Sequence, residues 1–203
     1  WENELNVETI PWVQDHVVSD SCLAPGAMYL DMALTAGCLF FQSSTLCLSD
    51  CSFLQALVLP KQGHLLLRTT LNPENGEVLI YHRDRPEDVA RTFTEAEKRR
   101  WTLHFRCYAH PEVEAWQEKQ AEAVMKTARE TCTTTVNVDS LYHRMAVQGL
   151  QFGPCFRSMK KIAVGVDEGC CEVDERVLGV SPESRGKHRI HPVLLDTIFQ
   201  SLI

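Results

Sequence analysis

Two apolar runs, each headed by a proline, dominate the pattern of hydrophobic and polar positions. Residues 25–40 read Pro-Gly-Ala-Met-Tyr-Leu-Asp-Met-Ala-Leu-Thr-Ala-Gly-Cys-Leu-Phe, with Asp31 the only charge. Pro25 suits a first helical position, where its missing N–H costs nothing, and the residues behind it are mostly good helix formers. A helix that is apolar nearly all the way round is enclosed by other structure rather than laid on a surface. The second run, 190–203, repeats this plan with Pro192 at a predicted helix start.

Between the two runs the period changes to that of strands. Residues 52–60, 64–71, 77–82 and 101–108 are β-prone, and alternation is clearest in Trp101-Thr-Leu-His-Phe-Arg-Cys-Tyr108. Turn signals at 61–63 and 72–76 divide them, and Asn75-Gly76 marks a hairpin. Antiparallel strands following one buried helix predict a sheet wrapped round that helix. From 111 to 135 the chain turns polar and reads as a connector with some helical content. Asp139 is then expected to cap a helix over 141–149 that ends at Gly149. Strand-like stretches at 158–166 and 169–180 lead through a loop at 181–186 to the last helix.

Composition narrows the class. The chain has 203 residues and is 44% hydrophobic, enough for one sizeable core or two small ones. Lys plus Arg total 20 against 27 Asp plus Glu, and the net charge of −7 disfavours a nucleic-acid face, which needs clustered positive charge. The apolar runs are too short to span a bilayer. Trp1 opens an acidic stretch without a signal-peptide pattern, so the chain reads as a piece of something longer. Nine cysteines without a CxxC pair or a regular framework are expected to be reduced, structural thiols of a cytoplasmic protein.

Two acidic or basic groups in apolar company could carry chemistry. Asp196 stands among Val193, Leu194, Leu195, Ile198 and Phe199, where loss of water favours the protonated form of a general acid. Gln200, one helical turn on, is placed to orient that carboxyl. The alternative is a core aspartate paired with an arginine or with backbone. His16, on a strand leading to the first buried helix, suits a general base, against the alternative of a half-buried histidine satisfied by its surroundings. Free N–H groups at that helix start, around Gly26 and Ala27, could receive an oxyanion. His191, directly before Pro192, is expected to position the helix start, and His64, His82, His104, His110, His143 and His188 carry less. No glycine-rich phosphate loop, G-x-S-x-G elbow or H-E-x-x-H pair is present.

Three segments together resemble polyketide synthase dehydratase domains. His16-x-x-x-Asp20-x-x-x-x-Pro25 is similar to that family's H-x-x-x-G-x-x-x-x-P motif, and Gly149-Leu-Gln-Phe-Gly-Pro-Cys-Phe-Arg157 to its G-L-x-Y-G-P-x-F-x segment. His191-Pro-Val-Leu-Leu-Asp196-x-x-x-Gln200 looks like its H-P-x-L-L-D-x-x-x-Q. The wording round His16 and Asp196 looks most like iterative, highly reducing fungal-type synthases. The resemblance implies an α+β double hot-dog fold, two long helices each wrapped by a curved antiparallel sheet, with one site at their junction. Its implied divisions are a first hot dog over 1–110, a linker over 111–136 and a second hot dog over 137–203. In the family the strands that finish the second sheet follow the last motif, so the second hot dog is expected to be truncated, its helix keeping an exposed apolar face.

The implied activity is loss of water from a 3-hydroxyacyl thioester, with His16 as base and Asp196 as acid. Gln200 would support the acid, Pro25 shape the helix entrance, and Gly26 lend its N–H to the oxyanion. No metal or bound cofactor is implied. The acyl chain would arrive on the phosphopantetheine arm of an acyl carrier protein, and neighbouring synthase domains and a homodimer of the megasynthase are the other expected partners. Two positions depart from the motifs. Asp20 replaces glycine and is expected either to alter a backbone approach or to bring negative charge near His16 and raise its pKa. Phe152 replaces tyrosine and removes a hydroxyl. The alternatives are a double-bond isomerase, a product-template cyclase, to which Met32-Ala-Leu-Thr-Ala36 after Asp31 lends some support, and a catalytically silent dehydratase-like domain of a megasynthase.

Overall fold

The computed structural model describes residues 1–61, 64–84, 100–111, 118–174, 176 and 188–202. Its strands are β1 (Glu2–Leu5), β2 (His16–Val18), β3 (Ser21–Cys22), β4 (Leu46–Phe53), β5 (Leu65–Leu71), β6 (Glu77–Asp84), β7 (Thr102–Pro111), β8 (Thr134–Val136), β9 (Leu150–Phe152), β10 (Met159–Val164) and β11 (Gly169–Val173). Its helices are α1 (Gly26–Phe41), α2 (Glu118–Thr131), α3 (Val138–Val147) and α4 (Pro192–Gln200).

A five-stranded antiparallel sheet in the order β1-β5-β6-β7-β4 packs on α1. Val78, Ile80, Phe105, Cys107 and Ala109 alternate along β6 and β7 and meet Met28, Tyr29 and Ala33 of the helix in the main core. Pro25 turns out to be the N-cap of α1 rather than its first member, with extended backbone at φ −67 and ψ 144. The enclosure expected for this helix fails over its last turn, where Leu39 is 60% and Phe40 42% exposed.

The strand expected at 52–60 lies earlier in the chain. β4 starts at Leu46, slips register between Ser49 and Ser52, and leaves β7 after Phe53. Alternation beyond it is real, with Leu57 and Leu59 buried and Val58 exposed. Its backbone, however, is satisfied by the segment ahead of α1: Ala24 N donates to Leu57 O and Leu59 N to Cys22 O. Period-two burial reports one covered side and not which chain supplies the hydrogen bonds. Asn75-Gly76 does close the β5–β6 hairpin, where Gly76 adopts φ +74 and a Cβ would lie 2.4 Å from the Ala109 carbonyl oxygen.

The polar stretch after β7 contains α2, and β8 at its end joins β10 and β11 in a second antiparallel sheet ordered β11-β10-β8. Asn137, not Asp139, caps α3: its Oδ1 accepts from Ser140 N at 2.8 Å. Asp139 sits in the first turn, where its charge favours the positive end of the helix. Leu141, Tyr142, Met145, Met159 and Ile162 form a second, smaller core. The strand expected to reach 180 is described only to Val173, and the loop expected at 181–186 lies outside the described residues.

On α4 the buried face is Val193, Asp196, Thr197 and Gln200, while Ile198, Phe199 and Leu202 are exposed. Val193 belongs to the main core, which also contains Trp12 and Phe156. A third antiparallel sheet, β3-β2-β9, bridges the two halves. All nine cysteines are free; Cys38, Cys107 and Cys132 are buried as expected of structural thiols, whereas Cys47 and Cys51 are exposed. Among the described residues no helix is long and apolar enough to cross a membrane.

Candidate active site

The bridging sheet brings the sequence-predicted residues together. His16 opens β2 directly opposite Phe152 of β9, and its ring lies 5.5 Å from that of Phe152 and 5.1 Å from that of Phe156. His16 Nδ1 is 3.0 Å from Leu23 O. A carbonyl can only accept, so Nδ1 carries the ring proton and Nε2 is left as the basic nitrogen. That Nε2 faces Asp196 Oδ1 at 3.8 Å. Gln200 Nε2 donates to the other carboxyl oxygen, Oδ2, at 2.9 Å. The spacing of four along α4 therefore does orient the carboxyl, leaving Oδ1 toward the imidazole.

Burial disfavours the charged form of both groups. Burial holds His16 below the usual histidine range, against the opposing pull of the Asp196 charge and the Leu23 carbonyl. Burial pushes Asp196 above the usual carboxylate range, outweighing the attraction of His16 and the Gln200 bond. Desolvation thus dominates both. At 3.8 Å the two are also too far apart for a direct hydrogen bond. Each shift is in the direction that suits the imidazole to accept a proton and the carboxyl to hold one, and the two groups lie within reach of one small group.

Asp20 does not raise the pKa of His16. Its backbone is left-handed, φ 61, the conformation that makes glycine natural there and that aspartate tolerates better than most residues. The exposed side chain is engaged with Gln151: Gln151 Nε2 donates to Asp20 Oδ1 and Asp20 N to Gln151 Oε1, both at 2.8 Å. Pro25 as N-cap supplies no side-chain acceptor, so Gly26 and Ala27 begin α1 without a capping group. Phe53 covers that start, its Cε1 lying 3.1 Å from where a Gly26 Cβ would be. His191 caps α4, accepting from Val193 N at 3.3 Å, as its place before Pro192 predicts.

Four residues that matter to the site, Asp15, Gly153, Asp31 and His188, are not singled out by the sequence for that purpose. Asp15 Oδ2 accepts from Cys155 N at 2.8 Å, and Gly153 N donates to Asp15 O at 2.8 Å. Gly153 sits so close that a Cβ would fall 2.4 Å from Asp15 Oδ1. Gly153→Ala is therefore expected to push the loop after β9 away from β2, lowering the melting temperature and weakening any activity that depends on His16. Asp31 and His188 are bonded through Oδ2 and Nδ1 at 2.7 Å. Asp31 was visible as a lone charge in an apolar helix, but its partner lies too far along the chain for spacing to reveal. Of the other histidines, His82 and His104 bond to each other in β6 and β7, and His110 and His143 are exposed.

Family profiles cover both halves of the chain. The profile described as "Polyketide synthase dehydratase domain" matches residues 1–85, and that described as "Polyketide synthase dehydratase N-terminal domain" matches residues 120–203. The chain belongs to the polyketide synthase dehydratase domains.

Relatives of this dehydratase-family chain come from bacteria and fungi alike. Polyketide synthase GfsB of Streptomyces halstedii is 30% identical over 202 residues, which is 98% of this chain and 3% of that protein. Highly reducing polyketide synthase cnsI of Penicillium expansum is 29% identical over 221 residues, 100% of this chain and 9% of that protein. The chain thus spans less than a tenth of the length of these relatives, and the two identities do not favour the fungal type over the bacterial. Among solved structures, the dehydratase domain from the CurF module of curacin polyketide synthase superimposes with a TM-score of 0.77 at 20% identity, covering 98% of this chain and 67% of that one. The dehydratase domain of the polyketide PpsC from Mycobacterium tuberculosis gives 0.74 at 23% identity, covering 100% and 66%. The fold is the double hot dog of these dehydratase domains. In this member the three motif segments meet at the β2–β9 ladder and the buried face of α4.

Proposed function

We propose that this domain removes water from a 3-hydroxyacyl thioester within a polyketide synthase. The observation that carries the reading is the free Nε2 of His16 facing the Asp196 carboxyl at 3.8 Å, with burial lowering the pKa of the imidazole and raising that of the carboxyl. His16 Nε2 takes the proton from the α-carbon, the α-electron pair forms the new double bond, and the β-carbon–oxygen bond breaks. Asp196 gives its proton to the leaving hydroxyl, so water and a 2-enoyl thioester depart and one proton has moved from substrate carbon to His16. Gln200 holds Oδ2 and leaves Oδ1 for the hydroxyl. N–H groups at Gly26 and Ala27, presented by Pro25, would stabilise charge on the thioester oxygen. In this reading the acyl chain is carried by the phosphopantetheine arm of an acyl carrier protein, the neighbours are other domains of a cytoplasmic synthase, and the units are hot dogs over 1–110 and 137–203 with a linker over 111–136.

Incubation of the domain with a 3-hydroxyacyl thioester, followed by mass, is expected to give the product lighter by one water. A folded domain that yields no enoyl product overturns the reading, and migration of a double bond in an enoyl substrate assigns an isomerase instead. The pH dependence has a definite sign. The working pair holds one proton, so kcat/KM is expected to fall in acid as His16 takes a second proton. It should also fall in alkali as Asp196 loses its own. The two limbs belong to the pair rather than to either residue. A flat profile across both limbs would contradict the acid–base assignment.

A further inference from the structure

We propose that Asp31 is a positioning residue for the acid–base pair, acting through the segment that leads into α4. This rests on the reading of His16 and Asp196 as base and acid. Asp31 is the only charged residue of α1 and is only 6% exposed, a placement that is costly unless the carboxylate is well bonded. Among the described residues, its side-chain bonds go to one short stretch. Oδ2 accepts from His188 Nδ1 at 2.7 Å, and Oδ1 accepts from Arg189 N at 2.8 Å and Ile190 N at 3.3 Å. Three consecutive residues are thus drawn onto one carboxylate of the first helix, immediately ahead of His191, the N-cap of α4.

One bond would tether the two halves. Three donors in sequence define the direction of the chain as it enters α4, and with it which face of that helix, the one bearing Asp196, turns toward His16. A chain of rings joins the same anchor to the base. His188 meets His191 edge-on at 4.7 Å, His191 meets Trp12 at 5.3 Å, Trp12 meets Phe156 at 6.2 Å, and Phe156 meets His16 at 5.1 Å. Acid and base are therefore both referenced to Asp31 without touching it. Acting on the pair besides are the Leu23 carbonyl on the His16 ring, Gln200 on α4 and the Tyr142 phenol on α3, which is within reach of the Asp196 charge.

The test follows the His16 ring through a pH titration by nuclear magnetic resonance, beside turnover, in wild type, Asp31→Ala, His188→Ala and His188→Gln. A shift of the reacting groups by an ångström can cost up to about 10²-fold in rate. In Asp31→Ala the His16 midpoint is expected to move toward the ordinary histidine value, with kcat down about tenfold or more and KM within about twofold. His188→Ala should show a smaller change of both, and His188→Gln, whose amide can donate to Oδ2, should restore them. If Asp31→Ala does not fold, the His188 variants carry the test. Folded variants with wild-type titration and wild-type kcat overturn the proposal. Should the wild type form no enoyl product, the proposed function fails, yet a shifted His16 midpoint in the variants still supports the positioning role and an unshifted one still overturns it.

Discussion

Asp196→Asn and His16→Ala are each expected to lower kcat for dehydration by about 10²- to 10⁴-fold, the usual worth of a positioned general acid or base. The double variant should be little worse than the worse single, because acid and base act on one transition state. Asparagine keeps the shape of the acid and can still accept from Gln200 Nε2, which donates to Oδ2 at 2.9 Å. Its effect on rate therefore reads the missing proton and not a collapsed site. The same variant should fold more stably at neutral pH. Burial raises the Asp196 pKa, so its contribution to stability is full below the ordinary carboxylate value and is lost as pH rises through the folded one. Removing the carboxylate removes that loss. Melting curves should put Asp196→Asn above wild type at pH 7, with the gap closing in acid, while the rate assay shows the opposite ranking. Equal melting temperatures at pH 7 would mean that desolvation does not govern this carboxyl.

Phe156→Ala is expected to destabilise the fold by about 3–5 kcal/mol, the typical cost of emptying a fully buried aromatic site. Phe156 has 0% exposure and stands between Trp12, at 6.2 Å, and His16, at 5.1 Å, with Phe152 stacked at 6.2 Å. Its neighbours belong to both halves of the chain, so no local repacking can close the space. Chemical denaturation would measure the loss, and Phe156→Leu should cost less because it keeps more of the volume. Turnover by the folded fraction of Phe156→Ala should also fall, since the ring that borders the imidazole is gone. A folded variant with full activity would separate the packing role from the site.

The first core was legible because its pattern is local. α1 and the strands of the large sheet announce themselves through proline, glycine and alternation, and the Asn75-Gly76 turn needs nothing beyond its own backbone. Errors fell where a residue's role depends on a distant partner. Leu57 and Leu59 alternate like a strand yet hydrogen-bond to the chain before α1. Asp139 looks like a cap, but Asn137 holds that position because its carboxamide reaches Ser140 N. Asp20, expected to bring charge toward His16, is instead held by Gln151 on the adjoining strand. On α4 the outcome agrees with the sequence: Asp196 lies on the buried face with Val193, Thr197 and Gln200, and Ile198, Phe199 and Leu202 form an exposed apolar face.

By itself, the sequence determined the helix starts next to Pro25 and at Pro192, the candidate acid and base, and the four-residue spacing that lets Gln200 grip Asp196. These follow from backbone restriction and helical periodicity, which act over a few residues. Tertiary structure alone decided that His16 and Asp196 face each other across 3.8 Å, and that burial lowers the pKa of the imidazole and raises that of the carboxyl. It also decided that Asp31 anchors the approach to α4. Such facts depend on which surfaces exclude water from which groups, and desolvation is a property of the assembled core rather than of any stretch of chain.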